Sequence, residues 1–161
     1  MSYDQLNTAI AVAIKNVHVA GRVRWPCISL KKEMFTLHPF DLTIENALFE
    51  GEQGMTGWQA EGSLIEVEGT IALTTLIGKN ITVRNIVKNS NVLTSMLITL
   101  MPNSITTMRQ GAVFLEQIQM ENIQRLGIIY ARGFKDLDVT VKDSRFHNIS
   151  FQNPIVDFSD I

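Results

Sequence analysis

The sequence predicts an all-β chain wound as a parallel β-helix, a solenoid of about five coils with three short strands per coil. Two observations carry that expectation. Val, Ile, Thr and Phe recur in stretches of period two or in short β-branched blocks, which favour strands over helices. One strand phrase also recurs along the chain, with a polar residue at the same place in each copy.

The phrase occurs five times. "VAIKNVHV" starts at Val12, "LTIENALF" at Leu42, "ITVRNIV" at Ile81, "VFLEQIQM" at Val113 and "VTVKDSRF" at Val139, so the starts lie 30, 39, 32 and 26 residues apart. Such intervals are too long for tight hairpins and carry further strands. Parallel stacking of like on like, about 4.8 Å apart, suits them. Val12, Leu42, Ile81, Val113 and Val139 then form one inward column, and Ile14, Ile44, Val83, Leu115 and Val141 the next.

The polar slot reads Asn16, Asn46, Asn85, Gln117 and Asp143. Stacked at the strand spacing in a buried bend, these side chains would bond to one another as an Asn ladder at one turn. Their expected role is to make a corner, and Asp143 is read as part of it, not as a catalytic carboxylate. The preceding outward slot reads Lys15, Glu45, Arg84, Glu116 and Lys142, with signs alternating along the stack. Opposite charges across a β pair are favourable and like charges are not, so the alternation specifies register. The third copy is one residue short before its last apolar position.

A second strand phrase follows each first: "CISL" (27–30), "LIEV" (64–67), "LITL" (97–100), "IIYA" (128–131) and "IVDF" (155–158). Ile28, Ile65, Ile98, Ile129 and Val156 are expected inward, with Ser29, Glu66, Thr99, Tyr130 and Asp157 outward. The residues before them, Cys27, Leu64, Leu97, Ile128 and Ile155, either turn in at the corner or form an exposed apolar stripe. A weaker third phrase follows the first three copies: "MFTL" (34–37), "TIAL" (70–73) and "SITT" (104–107).

The totals fit one domain over residues 1–161: 161 residues, 45% hydrophobic and 19% charged. A net charge of −2 gives no basic excess for nucleic acid. No apolar run reaches the length of a membrane span, and the start does not read as a cleavable leader. The lone cysteine, Cys27, excludes an internal disulfide and a cysteine-based zinc cluster.

Binding surface is expected in the bends after the first strand: 20–26, 50–62, 88–94, 121–126 and 147–153. The first two carry the two tryptophans, Trp25 and Trp58, with Arg22, Arg24, Glu52 and Gln53 nearby. Flat apolar rings with polar rims suit saccharides and peptides; the alternative is that both rings cover the core. "NIT" at Asn80 and "NIS" at Asn148 match the glycosylation sequon and permit a secreted setting.

The "FHN" element (146–148), the Asn at the bend and the following "GIIYA"-like strand (127–131) resemble the right-handed parallel β-helix of the pectin-lyase-like superfamily, in the style of repetitive surface-protein β-helices. The resemblance covers nearly the whole chain and is specific for fold, not function. Pectate lyases of that superfamily hold calcium with clustered aspartates and use an arginine base, whereas the strand face here alternates basic and acidic. The "NTD", "DD" and "GHD" motifs of polygalacturonases do not occur. Asp136 and Asp138 flank a turn, with Asp157 and Asp160 further on, and read as solvated; His18, His38 and His147 share no spacing.

The function expected is therefore a non-catalytic structural or adhesive module, extracellular or at the cell surface, without cofactor or metal. A carbohydrate-active lyase or hydrolase, or its sugar-binding part, is the first alternative. A filament-forming or complex-embedded scaffold subunit is the second. Open β-helix ends invite protein partners or self-association, as in filament-forming bactofilins, whose coils are shorter and more regular. The chain is expected to be a segment of a longer solenoid or a subunit of an assembly.

Overall fold

Along the chain the strands alternate between two parallel sheets, except that two successive strands of the last repeat lie in the same sheet. In a computed structural model, residues 10–21, 26–30, 39–51, 63–68, 72–87, 96–101, 111–124, 126–132, 136–150 and 156–159 are described. The elements are β1 (Ile10–Ala20), β2 (Ile28–Leu30), β3 (Pro39–Glu50), β4 (Ile65–Glu68), β5 (Ala72–Val87), β6 (Met96–Met101), β7 (Gly111–Gln124), β8 (Gly127–Arg132), β9 (Leu137–Lys142), β10 (Arg145–Ser150) and β11 (Val156–Ser159). The first sheet runs β1-β3-β5-β7-β10, with β9 also on β7, and the second β2-β4-β6-β8-β11. Every pairing among them is parallel. The described residues contain no helix, in keeping with the β-branched composition.

Both sheets contribute to one apolar core. Leu42, Ile44 and Phe49 of β3 and Val113, Leu115 and Met120 of β7 are buried together with Ile65 of β4, Ile98 of β6 and Ile129 of β8. Alternation in the long strands decides which residues enter it: along β7, Val113, Leu115, Ile118 and Met120 are buried, while Phe114, Gln117 and Gln119 are exposed. Leu64, Leu97 and Ile128 are buried too, so these residues of the second phrase form no exposed stripe. Thr99, expected outward, is also buried, and its hydroxyl bonds to that of Ser63. A hydroxyl enclosed in this way needs such a partner.

The register corrects the third copy of the repeat. Val12 faces Leu42, Leu42 faces Leu76, Leu76 faces Val113 and Val113 faces Val139. Leu76 therefore takes the place expected for Ile81. Gly78 replaces Val83 between Ile44 and Leu115, and Lys79 replaces Arg84 between Glu45 and Glu116. Gly78 hides this copy, because a glycine stands where an aliphatic residue is sought. The backbone there has no room for one: a Cβ would lie 2.7 Å from Leu115 Cδ2 and 3.1 Å from Ile81 Cδ1. Leu115 and Ile81 occupy the space left by the missing side chain.

Of the third phrase, 34–37 and 104–107 lie outside the described residues, while Ala72 and Leu73 open β5. Two of the expected bends also begin later than the sequence suggests. Glu121–Gln124 continues β7, and His147–Ser150 belongs to β10.

Candidate functional site

The repeated polar residues sit at backbone corners. Asn16, Asn46, Asn80, Gln117 and Asp143 all have positive φ, between 48° and 57°. That left-handed conformation is costly for most side chains and mildest for Gly, Asn and Asp. It re-aims the strand, so these side chains face solvent and are exposed rather than enclosed. Asn80 stands where Asn85 was expected, because Glu45 pairs with Lys79 and Ala47 with Ile81. Asn46 Nδ2 donates to Asn16 Oδ1 at 3.1 Å, and Asn80 Nδ2 donates to Asn46 Oδ1 at 2.9 Å.

A second corner lies five residues after the first in every copy. Its occupants are Gly21, Gly51, Asn85, Asn122 and Asn148. Asn85, Asn122 and Asn148 have φ of 56°, 53° and 50°, and Gly21 has 91°. Asn122 Nδ2 donates to Asn85 Oδ1 at 3.2 Å, and Asn148 Nδ2 donates to Asn122 Oδ1 at 2.8 Å. At Gly51 the constraint is proximity: a Cβ would fall 2.0 Å from the Asn85 carbonyl oxygen. Asn85 thus belongs to a ladder, but to this second one. The signal missed in the sequence is an Asn, Gln or Asp followed five residues later by Asn or Gly. Both sequon asparagines, Asn80 and Asn148, are corner residues donating within these ladders.

The outer face between the corners carries alternating charge. Lys15, Glu45, Lys79, Glu116 and Lys142 follow one another in register. Lys15 Nζ lies 2.9 Å from Glu45 Oε2, and Lys79 Nζ lies 3.4 Å from Glu116 Oε2. A second column reads Glu50, Arg84, Glu121 and His147, with Arg84 Nε 2.8 Å from Glu50 Oε1. His18 Nε2 also approaches Glu50 Oε2, at 3.8 Å. The hydrogen bond from Lys15, then its charge, holds the Glu45 carboxyl below its ordinary range. The hydrogen bond from Arg84 does the same for Glu50.

These acids are each set against a cation in the neighbouring strand, an arrangement that fixes register and gathers no carboxylates at one point. Among the described residues no group of three or more His, Cys, Asp or Glu is placed to hold a metal ion. Asp136, Asp138 and Asp143 are all exposed. Burial pushes the Cys27 thiol up to about 11, which keeps it protonated at neutral pH. No helix of the described residues is long and apolar enough to cross a membrane.

Arg22, Arg24, Trp25, Glu52, Gln53 and Trp58, the residues singled out for ligand binding, lie outside the described residues. Only the shoulders of their two bends are described: Gly21 N donates to Glu50 O, and Gly51 N to Arg84 O, each at 3.0 Å. On the described outer face, Ile77 and Phe114 are register partners and are 39% and 46% exposed. Comparison of the chain with protein-family models, curated proteins and solved structures found no match.

Proposed function

We propose that the chain is a non-catalytic structural or adhesive module. On this reading its two sheets are faces of a right-handed parallel β-helix of the pectin-lyase-like kind, and its turn loops present binding surface. The observation that carries the proposal is the use of the charged residues. On the long-strand face Lys15, Glu45, Lys79, Glu116, Glu50 and Arg84 serve neighbouring strands. A lyase or hydrolase would need acids converging on one reacting centre. Five successive layers sharing one register support that reading, since a rod built from such layers suits the display of loops.

The loops with Trp25 and Trp58 are the proposed binding surface for saccharide or protein, on the strength of their composition. An extracellular or surface setting follows from the resemblance to surface-protein β-helices. Two experiments test the reading. Ala13→Cys and Thr43→Cys, in a Cys27→Ser background, should be joined within one chain by a short thiol cross-linker, since these residues are register partners on the outer face. Failure to cross-link would overturn the stacked architecture. Incubation with pectate or polygalacturonate should release no new reducing or unsaturated ends, and turnover would replace the structural reading with the carbohydrate-active one.

A further inference from the structure

We infer that the outer face of the first sheet, centred on Ile77 and Phe114, packs against the same face of a second copy of the chain. The two copies are related by a two-fold axis that runs along the strands, midway between β5 and β7. The inference rests on the rod reading above and deepens it by naming a partner and the face that meets it.

Ile77 and Phe114 are register partners, and both are exposed in the interior of the sheet. Their exposure does not come from an open edge. β5 is paired on both sides, with β3 and β7, and β7 is paired with β5 on one side and with β9 and β10 on the other. The rest of their column is shorter: Ala13, Thr43 and Thr140. The two side chains therefore stand together as one apolar contact point. The face ends at the first corner, where Asn16 and its counterparts re-aim the strand. Five strands about 4.8 Å apart and about six residues long give a face of about 500 Å², so two such faces bury about 1,000 Å² in all, the size of a weak, reversible contact.

Charge selects the occupant and its placement. The neighbouring column reads Lys15, Glu45, Lys79, Glu116 and Lys142. Rotation about the stated axis lays β5 on the partner's β7, and β3 on the partner's β9. Ile77 then meets the partner's Phe114, and Lys79 meets the partner's Glu116, opposite signs at the centre. Lys79 Nζ and Glu116 Oε2 are 3.4 Å apart and both side chains are nearly half exposed, so two copies bring four alternating charges together. Further out, Glu45 faces the partner's Lys142, and Asp41 faces the partner's Asp138. One of these contacts is attractive and the other repulsive at equal distance from the centre, so they offset and the central charges decide. An axis through β5 or β7 itself would set Lys79 on Lys79 or Glu116 on Glu116. The alternation thus makes the face complementary to itself only about axes between strands, and the Ile77–Phe114 pair marks which of them is central.

Sedimentation of the full chain at low salt tests this. Monomer and dimer in reversible exchange are expected, with nothing larger, because an isologous pairing closes on itself. Phe114→Lys should weaken the dimer by about tenfold or more and leave the thermal midpoint nearly unchanged. Lys79→Glu and Glu116→Lys each set like charges against like, and each should favour the monomer. An equal mixture of those two variants should dimerise again, since every central pair is then of opposite sign. A chain that stays monomeric up to about 1 mM, growth beyond the dimer, a dimer indifferent to these substitutions, or a mixture that fails to dimerise overturns the inference. Should the Ala13–Thr43 cross-link form while the chain stays monomeric, the rod reading survives and this inference falls.

Discussion

Asn80 Nδ2 donates to Asn46 Oδ1 at 2.9 Å across a sequence separation of 34 residues, and both residues sit in the left-handed region. Asn46 is the middle of the chain of bonds, since its own Nδ2 donates to Asn16. Two properties of asparagine are used at once: tolerance of positive φ, and an amide that both donates and accepts.

Substitution separates these two properties. Asn46→Ala loses both and should destabilise the chain by about 1–2 kcal/mol. Asn46→Gly keeps the backbone freedom and loses only exposed hydrogen bonds, so it should cost about half as much. Denaturant midpoints of the two variants check this. Equal losses would mean that the ladder carries the whole effect and the backbone none.

Gln117 has the least suited side chain in the first corner column. It adopts φ of 57° and is exposed, yet glutamine is not among the side chains that tolerate this region well. Gln117→Asn should therefore stabilise the chain by up to about 1 kcal/mol. A thermal melt reads the outcome directly, and a lowered midpoint would show that the longer side chain makes a contact worth more than the relief of strain.

The parallel all-β character was legible because alternation and β-branching act locally. The charge alternation was legible because its signs survive a wrong alignment: Arg84 and Lys79 are both basic. What misled was the third copy. There Gly78 stands in an inward slot, and the second corner residue, Asn85, has the same identity as the first, Asn80. A search that requires an aliphatic residue at each inward position slides to Ile81 and finds Asn85 waiting. The exposure of the ladder was not legible either, because a polar residue on the apolar side of a strand suggests a buried group until its φ is known. Thr99 looked outward for the related reason that alternation does not say how a strand's outer face is covered.

The two constrained glycines should respond differently to a methyl group. In Gly78→Ala the new Cβ meets the tips of Leu115 and Ile81, which can shift, so a loss of about 1–3 kcal/mol is expected. In Gly51→Ala it meets the backbone of Asn85 at 2.0 Å, and only movement of the chain relieves the overlap. The expected loss exceeds that of Gly78→Ala and reaches about 3 kcal/mol or more. Urea denaturation of both variants checks the order, and the reverse order would place the second corner elsewhere.

The carboxylates in the charge columns set the direction of acid sensitivity. Glu45 and Glu50 have lowered folded-state pKa values, first through hydrogen bonds from Lys15 and Arg84 respectively. A group of this kind binds its proton more weakly folded than unfolded. Its stabilising contribution is present above the ordinary value of 4.5 and is lost as the pH falls through the folded-state value. Stability should thus be level near neutrality and decline below about pH 5. Lys15→Gln and Arg84→Gln remove the partners and should flatten that decline, most of all together, with added salt acting in the same direction because both pairs are at the surface. Denaturant midpoints across the acid range measure it. An unchanged slope in the double variant would move the acid response to other groups.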